Sequence, residues 1–228
     1  MDSKKKQIVE KYKSEEKMLI SDLRTITELL RAPDGCPWDR EQTHESIREN
    51  FIEETYEVAE AIDISDTGLL EEELGDVLLQ VVFHACIEEE NGGFDFDDVT
   101  NGICRKLVLR HPHVFGNVSA DTTEQVLSNW DKIKQESKHQ TTVAETLRSV
   151  AKSLPALMRA EKLIGRAAKA GYLDEAVPQN GSSIGEKMLR LVLEAREAGL
   201  DAEHELYKAC DELISRVEIS ENSKSSRS

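Results

Sequence analysis

The sequence predicts an all-α protein. Only 5% of its residues are aromatic while 32% are charged and 39% hydrophobic, a balance that favours solvated helices over packed strands. Apolar residues recur at three- and four-residue intervals through most of the chain, and the breaks between these stretches fall at Pro, Gly and Asn clusters.

Residues 1–17 mix Lys and Glu and read as a frayed helical arm. Leu19, Leu23, Ile26, Leu29 and Leu30 place a helix over 18–31. Pro33, Gly35 and Pro37 end it, because proline and glycine do not sit in a helix interior. Thr43 is the expected N-cap of the next helix, with Ser46 three residues on and a buried stripe of Ile47, Phe51, Val58 and Ile62. A turn at Ile64–Thr67 leads into a helix over 68–90, which Asn91, Gly92 and Gly93 close. Gly75 inside that helix costs about 1 kcal/mol relative to Ala and predicts close approach of a second helix. Asp95, with Asp98 three residues later, caps a helix that His111-Pro112-His113 stops. Thr122 or Thr123 caps a further helix carrying Val126, Leu127, Trp130 and Ile133. A polar linker is expected at 139–147, then helices over 148–217 interrupted at Pro155 and at a loop from 174 to 183, then a disordered tail at 218–228.

The net charge of −16 argues against a nucleic-acid or membrane-surface binder, since both need clustered Lys and Arg. Cys36, Cys86, Cys104 and Cys210 form no C-x-x-C pair, which argues against structural zinc and a secreted disulfide framework and fits a reducing cytosol. The first residues run into a charged segment rather than an apolar signal core, and the longest apolar run, 77–87, is too short to span a bilayer. A soluble, cytoplasmic protein is expected.

Four carboxylates stand out. Glu54 and Glu57 share one helix face, as do Glu73 and Asp76, and the two pairs lie at matching distances on either side of the turn at 64–67. Glu54 falls between Phe51 and Val58, and Glu73 and Asp76 fall on the row of Leu69, Gln80 and Phe83, where a structural helix places apolar residues. No Lys or Arg lies from Glu49 to Asn101 to neutralise them. Carboxylates turned inward without basic partners point to a hard cation, and an all-oxygen set suits Mg2+ or Mn2+. A di-iron site needs Glu-x-x-His pairs, and the i+3 positions here are Glu57 and Asp76. His84, alone on its helix, reads as a packed or surface histidine.

The chain also carries a worn internal repeat. Gly75 to Phe83 lays over Gly185 to Leu193, and Leu107 and Arg110 over Leu213 and Arg216. The acids do not survive: Ser183 stands for Glu73, Glu186 for Asp76, and Glu212 for Lys106. One site per chain, in the first half, is the expectation.

Cys36-Pro37-Trp38-Asp39, Gln42-Thr43-His44, Glu53-Glu54-x-x-Glu57, Glu72-Glu73-Leu74-Gly75-Asp76 and Arg110-His111-Pro112-His113-Val114-Phe115-Gly116 together resemble the MazG family of nucleoside triphosphate pyrophosphohydrolases. The match is close over 19–138, and Ser153 to Ala160 resembles the connector between two MazG-like halves. Beyond it the chain departs from the pattern, with Leu173-Asp174 where an aromatic is expected after Tyr172.

The resemblance implies a MazG-like all-α bundle that dimerises, with a catalytic domain at 18–138 and a degenerate second half at 148–217. It implies conversion of a nucleoside triphosphate and water to monophosphate and diphosphate with Mg2+, on many bases. In that frame Glu54, Glu57, Glu73 and Asp76 hold the metal, and Glu53 orients or deprotonates water or is itself a ligand. Lys106 and Arg110 neutralise the triphosphate, and Trp38 or Trp130 stacks on the base. A nucleotide-sensing or partner-binding module without turnover, and a pyrophosphatase restricted to dUTP, are the alternatives.

Overall fold

A computed structural model describes residues 3–137 and 142–225. Every regular element among them is helical. The chain forms two compact units, Met1–Asn117 and Val118–Ser228.

The first unit contains α1 (Ser3–Lys13), α2 (Ile20–Arg31), α3 (Pro37–Glu41), α4 (Arg48–Asp63), α5 (Thr67–Glu90), α6 (Phe96–Arg110) and α7 (Pro112–Phe115). Helices α4 and α5 make its most extensive pairing, and α2 and α6 also pack on α5. The hairpin turn is short because Ser65 takes a positive φ of 58° and Asp66 then caps α5, its carboxylate accepting from the amides of Gly68 and Leu69. Ile47, Phe83 and Ile87 form the core at the far end of this hairpin, with Leu79 packed against them.

Arg31 ties three elements together there. Its side chain is only 5% exposed, bonds both oxygens of Glu90 at 2.8 and 2.7 Å, donates to the carbonyls of Asp39 and Gln42, and lies over the Phe83 ring. Gly35 is required by space: a Cβ there would meet the carbonyl oxygens of Leu29 and Leu30.

The second unit holds α8 (Thr123–Ser137), α9 (Val143–Arg148), α10 (Ala156–Lys169), α11 (Leu173–Ala176), α12 (Ile184–Glu197) and α13 (Ala202–Ser225). Its core is Ile164, Val177 and Val192, from α10, the loop after α11, and α12.

Several local expectations are corrected. Thr43 does not cap α4; Thr43 and Ser46 bond each other's amides in the turn before it, and the helix begins one residue after Ile47. Ile62 is 57% exposed and Ala61 takes its place in the interior, because the α4 stripe drifts around the helix over four turns. A Cβ at Gly75 would meet nothing within 4 Å, so no helix among the described residues approaches it. Of the stretch expected as a linker, 139–141 lies outside the described residues, and Val143–Arg148 is helical behind a Thr142–Glu145 capping box. α13 continues past Val217 to Ser225.

Candidate metal centre

Glu54 and Glu57 lie one turn apart on α4, and Glu73 and Asp76 one turn apart on α5; all four are half-buried. One carboxylate oxygen from each of Glu54, Glu57 and Glu73 lies within 4.8 Å of the others. Two oxygens on opposite sides of a small cation at about 2.1 Å are separated by about 4.2 Å, so this donor set closes on a hard cation with side-chain adjustment alone. Asp76 stands outside that triplet, yet its charge acts on both Glu54 and Glu73. The arrangement is ordered by height on the hairpin: Asp76 is the strongest charge felt by Glu54, and Glu57 the strongest felt by Glu73.

The electrostatics are those of like charges held close together. Burial, then the Asp76 and Glu57 carboxylates, push Glu54 above the usual carboxylate range. Burial, then Glu57 and Asp76, do the same to Glu73. The Glu57 side chain adds to the rise at both. One turn beyond Asp76 on the same row, the Gln80 amide oxygen is buried with no hydrogen-bond partner.

The remaining candidates are placed less centrally. Glu53 is exposed, beside Glu54 and outside the triplet. Lys106 is exposed and Arg110 half-buried, one turn apart on α6, which packs on α5. Trp38 lies on α3 and is 61% exposed. Trp130 is half-buried on α8, in the second unit.

Residues 42–115 match the family model for the MazG nucleotide pyrophosphohydrolase domain. A protein of Escherichia coli K12 named nucleoside triphosphate pyrophosphohydrolase is 43% identical over 183 residues, covering 80% of this chain and 70% of that one. The chain belongs to the MazG family. The MazG protein of Thermotoga maritima, named nucleoside triphosphate pyrophosphohydrolase/pyrophosphatase, is 40% identical over 180 residues, 79% of this chain and 68% of its own. The uncharacterized protein YabN of Bacillus subtilis is 52% identical over 152 residues, and there the match spans 65% of this chain but only 31% of the relative. The all-α architecture is that of the MazG domain.

Sequence reasoning missed one cluster. His84 is not alone: its Nδ1 lies 2.7 Å from Nδ1 of His44, whose Nε2 lies 2.8 Å from Glu88. The available signal was the i, i+4 spacing of His84 and Glu88 on one helix face.

In the second half the repeat counterparts of these acids are committed to a helix end. α5 begins six residues before Glu73, whereas α12 begins directly after Ser183. Ser183 and Glu186, the counterparts of Glu73 and Asp76, therefore fall at the N-cap and third position of α12, where they form a capping box. The Ser183 hydroxyl and amide bonds hold the Glu186 carboxyl below its usual range. A carboxylate committed to a helix end is not offered to a cation.

Proposed function

We propose that this chain hydrolyses nucleoside triphosphates of several bases to the monophosphate and diphosphate, with Mg2+, or Mn2+ in its place, held by Glu54, Glu57, Glu73 and Asp76. The observation that carries it is the meeting of Glu54, Glu57 and Glu73 oxygens within 4.8 Å, in a chain of this family and with no basic side chain among them. Bound there, the metal supplies charge neutralisation at the phosphate oxygens and acidifies a water.

The protein's own groups do the rest. Glu53 stands beside the cluster and takes the proton of the attacking water. Lys106 and Arg110 balance the triphosphate charge. Trp38, largely exposed, offers a face for the base. We assign the chemistry to 18–138 and treat 148–217 as a helical half without a site.

A homodimer, working in the cytoplasm, completes the proposal. Ile52 and Tyr56 on α4, Leu74 and Leu78 on α5, and Ile103 and Leu107 on α6 are all exposed, and Gly75 sits open among them. Apolar surface of this extent on one unit fits association with a second copy. Among the described residues no helix is long and apolar enough to cross a membrane.

The test is a nucleotide panel with Mg2+, products resolved by chromatography. Monophosphate and diphosphate from several bases, lost in Glu54→Gln and Asp76→Asn, are expected. Failure of every nucleotide to yield that product pair overturns the proposal, and turnover of dUTP alone overturns its breadth.

A further inference from the structure

The α4–α5 hairpin is closed at one end by the turn at Ser65, and at the other by a side-chain cluster. His44 precedes Glu54 by ten residues; His84 and Glu88 follow Asp76 by eight and twelve. His44 thus stands level with the turn of α5 between His84 and Glu88, and it bonds both. The two imidazole planes are inclined by only 7°, and Phe51 packs on His84 from α4. Glu88 is fitted into place as well: its second carboxylate oxygen occupies the space that a Cβ at Gly93 would need.

The hydrogen-bond chemistry has few solutions. An ionised Glu88 only accepts, so His44 Nε2 carries a hydrogen. The facing Nδ1 atoms at 2.7 Å require one proton between them. Two states satisfy this. In the neutral state His84 Nδ1–H donates to a bare His44 Nδ1. With one more proton, His44 is the imidazolium and donates both to Glu88 and to a neutral His84. A second added proton sets two N–H groups and two charges against each other and breaks the contact.

We propose that Glu88, His44 and His84 are positioning residues, a carboxylate–imidazole–imidazole clamp that closes the open end of the α4–α5 hairpin around one shared proton and thereby holds Glu54 and Glu57 level with Asp76 and Glu73. The clamp rests on the reading of the four acids as a cation site, since their convergence across two helices is what it protects.

The surrounding charges leave that proton to the cluster. Glu45, next to His44, has its carboxyl held low by its own backbone amide and by Thr43. From α2, Arg31 is engaged by Glu90 and Glu28 by Lys4, and from α6 Asp97 is engaged by Arg24. Asp39 on α3 carries its charge beside Arg31. Burial and the neighbouring His44 keep His84 below the ordinary histidine range, in line with its role as the neutral acceptor.

The experiment uses the full chain with 15N-labelled histidine, its six imidazoles followed by long-range NMR correlation across the histidine range. The Nδ1 atoms of His44 and His84 are expected to be coupled through one hydrogen-bonded proton, and that coupling to be lost in His84→Phe. Two imidazoles with no coupling across this contact overturn the shared proton. In parallel, Mn2+ binding without nucleotide is read by electron paramagnetic resonance. His84→Phe and Gly93→Ala are each expected to weaken it about fivefold, the equivalent of roughly one net hydrogen bond. Unchanged Mn2+ affinity in both variants, with helix content intact, overturns the positioning role. Absence of Mn2+ binding in the wild type overturns the cation site and the positioning role with it, while the NMR arm decides the shared proton independently.

Discussion

Ser183 donates its hydroxyl hydrogen to the Glu186 carboxylate at 2.7 Å, at the two positions that align with Glu73 and Asp76 of the first half. The same repeat positions therefore hold two half-buried carboxylates in one copy and a helix cap in the other. The difference follows from where the helix starts.

The first prediction concerns that cap. Ser183→Ala removes a side-chain acceptor from the amide of Glu186 and costs about 1 kcal/mol of stability by denaturant melt. Nucleotide turnover under folding conditions stays at the wild-type rate. A large loss of kcat at unchanged folding would place chemistry in the second half.

The acid cluster makes the metal-free protein sensitive to pH in a definite direction. Glu54 and Glu73 bind protons more tightly when folded than when unfolded, so between the ordinary carboxylate range and their raised values the native state holds more protons. Stability contributed by these groups falls as pH rises through that window. Glu73→Gln should raise the Tm of the metal-free protein at neutral pH and flatten this dependence. Mg2+ addition is expected to raise the Tm of the wild type, and Glu73→Gln to abolish that shift.

Glu57 is the carboxylate shared by both partners in the triplet. Glu57→Gln keeps the shape and removes the charge, and metal affinity and kcat should each fall on the order of a hundredfold or more. Glu53→Gln separates the roles of neighbours: kcat should fall while Mn2+ affinity is retained. Equal loss of both in Glu53→Gln would make it a ligand instead.

Much of this was legible in the sequence, and for physical reasons. The height match of Glu54 with Asp76 and of Glu57 with Glu73 follows from helix rise and a short turn, and the structure has Asp66 capping α5 one residue earlier than expected. The Asp95–Asp98 capping box needs only local chemistry and is present as read. What sequence could not supply is contact between distant segments. His44 and His84 are forty residues apart, and nothing local brings them together. Gly75 misled because a helix glycine does not by itself require a neighbouring helix, and none among the described residues approaches it.

Arg31 is the residue whose loss should cost the first unit most. Its guanidinium joins α2 to the connector carrying Trp38 and to the end of α5, and the hydrogen bond to Glu90 raises its proton affinity further. Arg31→Lys keeps the charge but cannot bond Glu90 with two nitrogens and two carbonyls at once. About 2 kcal/mol of destabilisation is expected, kept below the cost of a fully buried pair because Glu90 is 44% exposed. Thermal unfolding of Arg31→Lys and Arg31→Met checks it.

Gly75 gives the sharpest test of association. A Cβ at this position meets nothing within the chain, and Leu74 and Leu78 beside it are exposed. In a lone chain Gly75→Ala would add up to about 1 kcal/mol of helix stability. Against a second copy packed closely on α5, the same methyl group has no room, and a larger side chain has less. Gly75→Leu should therefore shift the chain from dimer to monomer in sedimentation, with helix content unchanged and Tm no longer dependent on protein concentration. A Gly75→Leu variant that sediments as the wild type does would overturn the proposed association through this face of α5.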